Sequence, residues 1–550
     1  MTAAELLVRC LENEELDYVF GVPGEENLAL LDALLDSRIR FLQTRHEQGA
    51  AFMADVQGRL TGTARACLAT LGPGATNLLT GVADANLDRA PLVAITAQAG
   101  TKRFHKESHQ YLDLMALFRS AVKWNAQLVN PEVVPEAVRK AFKVAQTERP
   151  GATHLDLPED VAEAEAPAEL GPLVRQQPIP TEPPEPQVER AAAILAEARH
   201  PMVLAGNGVA RGRAAAELRR FAETLGIPVA ETFMGKGSLP GDHPLSLGSV
   251  GLQLHDYVSC GLDRADVVVC VGYDLVEYAP ERWNPARDKR IVHVDPSPAE
   301  VDAAYQVAVG VQGTIAASLA RLTERALARG AARATRPAAA ALRDLIQNHF
   351  RAEAEDDAFP VKPQRLVRAL REALGDEDIL VSDVGAHKLW IARMYHCAAP
   401  NTCVISNGFA SMGIALPGAI GAKLLLPERR ILAACGDGGF LMNVQELETA
   451  VRAGTPIVTV IFEDGAYGVI KWNQLRRYGR PAFVDFGNPD FVALAASFGC
   501  RGYRVSAAAD LGPILEEAFR QPVPAVVACA VDYGENLKLT DRLGPFVCPV

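Results

Sequence analysis

Short apolar runs rich in Val, Ile and Ala recur along the chain and alternate with longer stretches whose apolar positions repeat at helical spacing. The first block holds DYVFGVP, ACLATLG, PLVAITA and THLDLP, and a second holds PMVLAG, ADVVVCVG and RIVHVD. A third holds DILVSDVG, RILAACGDGG, PIVTVIFEDG and PAVVACAVD. Runs that are apolar on both faces suit parallel strands covered by helices on each side. Gly, Asp and other polar residues collect just after the runs, at the carboxyl ends of strands, where sheets of this kind bind ligands. The pattern predicts an α/β chain of three doubly wound parallel-sheet domains.

Two shifts in composition divide the blocks. PIPTEPPEPQ, Pro178 to Gln187, carries five prolines in ten residues and reads as an extended linker. A softer cut, from about Ala328 to Gln364, mixes helix formers with Pro337, Pro360 and Pro363 and reads as a helical connector on the surface. The expected domains are 1–170, 188–335 and 360–550, in keeping with about 150 residues per domain for a chain of 550. A net charge of -12 without a long Lys or Arg run argues against sequence-independent binding of nucleic acid and leaves room only for a local basic site. The ten cysteines form no CxxC pair, and many lie inside apolar runs, as small buried hydrophobes of a reducing compartment. The N-terminus, TAAELLVRCLENEEL, has a helical apolar face and no signal-like core, so a cytoplasmic protein with no membrane span is expected.

The third block carries the strongest chemistry. Asp437 follows RILAACG, and Asp464 follows the next strand 27 positions later, a gap that fits strand, helix and return strand. Both carboxylates should therefore emerge on one sheet edge and suit a hard cation such as Mg²⁺, with positions left for phosphate oxygens. Gly436, Gly438 and Gly439 would let backbone approach that phosphate, and a helix starting near Asn443 would turn its amide end toward it. A tight βα turn accounts for GDGG equally well on its own. In the first block, RHEQGAAFMADVQGRLTG puts Glu47 at the start of a helix of small and apolar residues. Alone, it reads as a first-turn acid complementing the helix dipole, worth about 0.3 to 1 kcal/mol.

GDG followed after 24 residues by a polar pair resembles the thiamine diphosphate fingerprint, and FGVPGEENLALLDAL, LGPGATNLLTGVADANLDRAPLVAITAQ and SNGFASMGIALPGAIGAK resemble the acetolactate synthase branch in order. The resemblance covers essentially the whole chain. It implies that Asp437, Asp464 and the carbonyl of Ala466 hold Mg²⁺, with Glu463-Asp464 standing where the family has Asn-Asn and Glu463 simply facing solvent. It implies that Glu47 shares a proton with the aminopyrimidine ring of thiamine diphosphate, and that Met412 bends the cofactor while the carbonyl of Ala410 accepts from its amino group. Pro23, Gly24, Gly72, Pro73, Gly74, Asn77, Gly385, Ser411, Tyr467 and Gly468 join the implied cofactor site. Gln110 and Lys106 border the reacting atoms, Lys106 reading equally well as a solvated loop charge. Val469, Ile470 and Trp472 would wall the pocket against water.

The place where the biosynthetic relatives carry a flavin segment reads VGYDLVEYAPERWNP here, like the FAD-independent catabolic acetolactate synthases, and AGNGVARG misses the GxGxxG spacing. The tail stretches VDFGNPDFVALAASFG and VDYGENLKL also resemble that branch. The implied activity is decarboxylation of pyruvate and transfer of the hydroxyethyl group to a second pyruvate, giving 2-acetolactate and CO₂ without FAD. In the family the partner of the Glu47 motif lies on another subunit, so a homodimer is the smallest active unit and a homotetramer the expected assembly. A different thiamine diphosphate decarboxylase or carboligase, and a non-catalytic nucleotide-binding subunit, are the alternatives.

Overall fold

A computed structural model describes residues 1–176, 179–251, 257–331, 336–348 and 351–537. Pro178 of the proline-rich linker, residues 332–335 and 349–350 of the connector, and the end of the VDYGENLKL stretch with the rest of the tail lie outside the described residues.

In the first block, β1 (Tyr18–Gly21), β2 (Arg40–Gln43), β3 (Arg65–Ala69), β4 (Leu92–Gln98), β5 (Trp124–Gln127) and β6 (Ala152–Pro158) pair in the order β2-β1-β3-β4-β6-β5. The second block contains β7 (Pro201–Ala205), β8 (Val229–Glu231), β9 (Ser246–Ser249), β10 (Val267–Val271), β11 (Arg290–Asp295) and β12 (Val307–Gln312), ordered β12-β11-β10-β7-β8-β9. The third contains β13 (Ile379–Ser382), β14 (Cys403–Ile405), β15 (Ile431–Gly436), β16 (Val458–Glu463), β17 (Arg501–Arg504) and β18 (Ala525–Ala530), ordered β14-β13-β15-β16-β18-β17. Every pairing in the three sheets is parallel. This is the expected doubly wound α/β architecture, three times over.

The strands that the apolar pattern does not mark are β2, β5, β8, β9, β12, β14 and β17, and all but β8 stand at a sheet edge. An edge strand is covered on fewer sides, so RFLQ in β2 and RGYR in β17 stay partly exposed and need no continuous apolar run. The proline-rich linker is shorter than expected. Its last residues, Glu185 to Gln187, open the helix Glu185–Glu197 with Pro186 in the first turn, where a missing N–H costs nothing.

The first and third domains share one core, which the sequence pattern does not reveal. Helix Glu47–Thr61 packs on helix Ala415–Leu425, and Phe52, Met53, Val56, Leu416 and Ile420 belong to the same apolar cluster. The contact is close because a Cβ on Gly421 would lie only 2.6 Å from the Met53 carbonyl oxygen. Each large side chain buried there contributes about 1.5 to 3 kcal/mol. Among the described residues eight cysteines are free and buried, as expected, whereas Cys260 is disulfide-bonded. Among the described residues no helix is long and apolar enough to cross a membrane.

Candidate active site

The carboxyl ends of β13, β15 and β16 enclose a cavity of about 280 Å³ beside the point where the strand order reverses between β13 and β15. It is lined by Gly385, Ala410, Met412, Gly436, Asp437, Gly438, Gly439, Asp464, Ala466, Tyr467, Gly468, Val469 and Ile470, so most of the third-domain residues expected at the cofactor meet here. Parallel pairing of Gly436 with Phe462 sets Asp437 and Asp464 side by side at the strand ends. The Asp437 carboxylate is pinned: Oδ2 accepts from Asp464 N at 3.0 Å, Gly465 N at 2.7 Å and Asn488 Nδ2 at 2.8 Å, and Oδ1 from Gly438 N at 2.8 Å. Gly465 makes the turn possible at φ +65. Burial, and then the Asp437 charge, push the Asp464 carboxyl up to about 7.

The cavity has the chemistry of a site for a cation and a polar anion. Among the described residues no group of three or more His, Cys, Asp or Glu could hold a metal. A cation here would take two carboxylates and the Ala466 carbonyl, and would keep positions free for phosphate oxygens. Among the described residues three buried polar atoms around the two acids have no partner: His387 Nε2, Tyr533 Oη and Asn488 Oδ1. Buried polar groups without partners are uncommon, and these fit a bound ligand. His387, Lys388, Phe462 and Tyr533 also line the cavity. Sequence reasoning missed them, although His387 and Lys388 stand only two and three positions after Gly385. Burial pushes the His387 imidazole down to about 3, so it stays neutral, and holds the Tyr533 phenol far above its usual range.

Several expectations need correction. The helix after β15 starts at Asp437, runs to Met442 and is followed by a separate helix Glu446–Arg452, so no helix starts near Asn443. GDGG is therefore a strand end and a first helical turn in one. Glu463 does not simply face solvent: its carboxylate pairs with Arg504 Nη1 at 2.9 Å across to the edge strand β17. Trp472 is buried outside this cavity, while Val469 and Ile470 line it. Ser411 lies beside the cavity, buried, with its N–H on Asp84 Oδ1 at 3.1 Å.

The first-domain residues gather elsewhere. Glu47 is the first residue of its helix, 7% exposed, and Oε2 accepts from Asn77 Nδ2 at 3.0 Å. A Cβ on Gly74 would stand 3.2 Å from Glu47 Oε1, and one on Gly24 would stand 2.5 Å from Thr70. Gly72 adopts φ +54 and touches Gln110, whose carbonyl oxygen lies 2.7 Å from where a Cβ would be. Pro23, Pro73, Lys106 and Gln110 are exposed. None of these residues lines the cavity around Asp437, whose walls all come from residues 384–533. The two half-sites are nonetheless tied together. Glu446, at the start of a third-domain helix, accepts from the N–H groups of Arg45 at 3.1 Å and His46 at 3.0 Å, just before Glu47. Burial pushes Glu446 up to about 7.

Another cavity, about 790 Å³, lies between Phe233 and Leu275 to Arg282 of the central domain and Asn407, Asn473 and Arg476 of the third. At its edge Glu277 occupies the glycine turn after β7: its oxygens accept from Asn207 N at 3.0 and 3.1 Å and from the Thr232 hydroxyl.

Family models place three thiamine pyrophosphate enzyme domains along the chain: the N-terminal TPP binding domain at 1–117, the central domain at 188–322 and the C-terminal TPP binding domain at 383–529. The acetolactate synthase of Bacillus subtilis (strain 168) is 35% identical, with 98% of this chain and 95% of that protein covered. The catabolic acetolactate synthase of Raoultella terrigena is 35% identical, with 98% and 97% covered. A probable acetolactate synthase large subunit of Methanocaldococcus jannaschii is also 35% identical, with 100% and 96% covered. Identity therefore does not separate the catabolic branch from the large subunits. With three matched domains and relatives of this identity along nearly its whole length, the chain belongs to the acetolactate synthase family of thiamine diphosphate enzymes.

Proposed function

We propose that the chain is an acetolactate synthase that uses thiamine diphosphate and Mg²⁺ to decarboxylate one pyruvate and join the two-carbon unit to a second, releasing 2-acetolactate and CO₂. The observation that carries this reading is one cavity holding Asp437 and Asp464 at adjacent strand ends, beside orphaned polar atoms of His387, Tyr533 and Asn488. When bound, thiamine diphosphate supplies a carbon nucleophile and an electron sink for CO₂ release. The chain holds the metal through Asp437, Asp464 and the Ala466 carbonyl, and Gly436, Gly438 and Gly439 leave room for the diphosphate. Met412 and Ala410 position the pyrimidine end, and Val469 and Ile470 keep water from the reacting carbon. Glu47, buried and oriented by Asn77, holds the proton it exchanges with the pyrimidine ring on its carboxylate.

Glu47 has to reach that ring from another chain. The half-site of Asp437 has no wall from the first domain, and exposed apolar side chains surround it: Phe409, Met442, Tyr467 and Ile470 are 39 to 53% exposed. A second copy that presents its Glu47 half-site to this rim would bury them and complete the site, which supports a homodimer as the minimal unit, assembling into a homotetramer. Independence from FAD is supported by Glu277, whose carboxylate already occupies the Asn207 amide at the glycine turn where a dinucleotide pyrophosphate would sit. A cytoplasmic enzyme without a nucleic-acid partner fits the charge of -12.

Incubation of the purified protein, expected to be colourless, with pyruvate, thiamine diphosphate and Mg²⁺, without flavin, should yield acetolactate. Acetaldehyde alone would make the chain a decarboxylase, and a stoichiometric flavin spectrum in the 790 Å³ cavity's owner would overturn flavin independence. Glu47→Gln should still bind the cofactor in titration calorimetry yet lose about 10²- to 10⁴-fold in turnover. Near-normal turnover in that variant would remove Glu47 from the proton transfer.

A further inference from the structure

Buried charges of the first domain sit directly beneath the third-domain loop that carries Ala410 and Met412. The Arg59 guanidinium is enclosed by carboxylates, with Nε on Asp55 Oδ1 at 2.6 Å and Nη2 on Asp84 Oδ2 at 3.0 Å and Asp88 Oδ2 at 2.6 Å. All three aspartates are fully buried. The remaining oxygens of two of them face the loop. Asp84 Oδ1 accepts from Ser411 N at 3.1 Å and Ser406 Oγ at 2.9 Å. Asp88 Oδ1 accepts from Gly408 N and from Phe409 N at 3.3 Å, and its Oδ2 from Asn407 N at 3.3 Å.

The loop needs this grip. Ala410 has φ +60, a left-handed conformation that a residue with a side chain rarely adopts. Gly408 tolerates the approach only because it lacks a side chain, since a Cβ there would stand 2.6 Å from Asp88 Oδ1. The bond to Ser411 N has a geometric consequence. A trans peptide is planar, with its N–H and C=O pointing in opposite directions. Fixing the Ser411 N–H on Asp84 therefore turns the Ala410 carbonyl away from the charge cluster, on the residue that lines the cavity.

We propose that Asp84 and Asp88, locked by Arg59, are positioning residues for the pyrimidine end of the cofactor: they hold the strained loop so that the Ala410 carbonyl and Met412 face the cavity. This rests on the reading in which Ala410 and Met412 meet thiamine diphosphate. The first domain then has two tasks, offering Glu47 to one active site and bracing the loop of the site in its own chain. Asp88→Asn should break the brace because every partner of this carboxylate is a donor, and an amide turns its own N–H groups against them.

The test separates the two ends of the cofactor in full-length protein. With Mg²⁺ present, Asp88→Asn should bind thiamine diphosphate about ten- to a hundredfold more weakly, as when an outer partner of a ligating group is lost. Its affinity for magnesium pyrophosphate, which needs only the Asp437 end, should match wild type. Equal loss for both ligands would mean general damage and would overturn the proposal, as would no loss for either. Asp84→Asn should repeat the split. Should neither variant fold, hydrogen exchange of the wild-type apoprotein decides: amides of residues 407–409 and 411 should be protected, and exchange as fast as in a free loop refutes the brace. A wild-type chain that holds magnesium pyrophosphate but no thiamine diphosphate would overturn the site's assignment instead, and the same amide protection would still judge the brace.

Discussion

The third-domain crevice between β13 and β15 and the central-domain crevice between β7 and β10 are made from the same parts: a strand-order reversal, a glycine turn at a strand end and a buried carboxylate. In the central domain the carboxylate comes from outside the turn. Glu277 accepts from Asn207 N and the Thr232 hydroxyl, and the backbone closes tightly enough that a Cβ on Gly206 would lie 2.4 Å from the Gly272 carbonyl oxygen. In the third domain the turn itself carries the acid. Asp437 is held by amides of the next strand's loop, Asp464 stands beside it, and His387 and Tyr533, each with a polar atom unpartnered among the described residues, line the space that remains. A crevice whose turn is already satisfied by the chain's own carboxyl oxygens offers nothing to a phosphate. One that gathers unbalanced negative charge needs a cation, and through it an anion.

Removing the acid from each crevice breaks the comparison if the crevices are alike. Asp437→Ala should weaken magnesium-dependent retention of thiamine diphosphate by more than about a hundredfold, since on the proposed reading it removes a direct ligand rather than an outer partner. Gel filtration of loaded protein followed by cofactor assay measures it, and unchanged retention would take Asp437 out of the metal site. Glu277→Gln should leave that retention unaltered.

The second effect is on stability and distinguishes the central carboxylate. Burial raises Glu277 from 4.5 to about 7. The folded chain therefore keeps a proton that the unfolded chain has released across that window, and this contribution to stability is full at acid pH and lost as pH rises toward 7. Paired melts of wild type and Glu277→Gln cancel the other buried acids. The wild type should lose up to about 3 kcal/mol relative to the variant between roughly pH 4.5 and 7, then level off. A difference independent of pH would show that Glu277 stays ionised on its donors.

These crevices also show what a sequence discloses. The core strands, the place of Glu47 at a helix start and that of Asp437 and Asp464 at adjacent strand ends were legible because apolar runs and the residues at their ends are consecutive in the chain. Edge strands such as β2 and β17 were not, because half-exposed strands resemble loops in composition. Glu277 was passed over because its partner, the Asn207 amide, lies 70 residues away. Glu446 meets the turn before Glu47 across 400 residues, and only the packing of helix Glu47–Thr61 on helix Ala415–Leu425 brings it there. Trp472 was misplaced because it follows Val469 and Ile470 in sequence, yet the helix that carries all three turns it into the core.

The smallest effect probes how much negative charge the open crevice needs. Glu463 is already paired with Arg504, so on the proposed reading the charge facing a bound cation would come from Asp437 and Asp464. An amide oxygen at position 464 could still reach the metal, but it would not add charge beside a diphosphate. At saturating magnesium the cation balances both carboxylates, and Asp464→Asn should bind thiamine diphosphate like wild type. At low magnesium the uncompensated carboxylates repel the phosphates, and the variant should bind as tightly or up to about tenfold more tightly, a span of 0 to about 1.4 kcal/mol. Titration calorimetry across magnesium concentrations resolves this. Clearly weaker binding at every concentration would mean that the loop from Asp464 to Gly468 is shaped around the carboxylate, as the 3.1 Å between Asp464 Oδ2 and the Cβ position of Gly468 would then suggest.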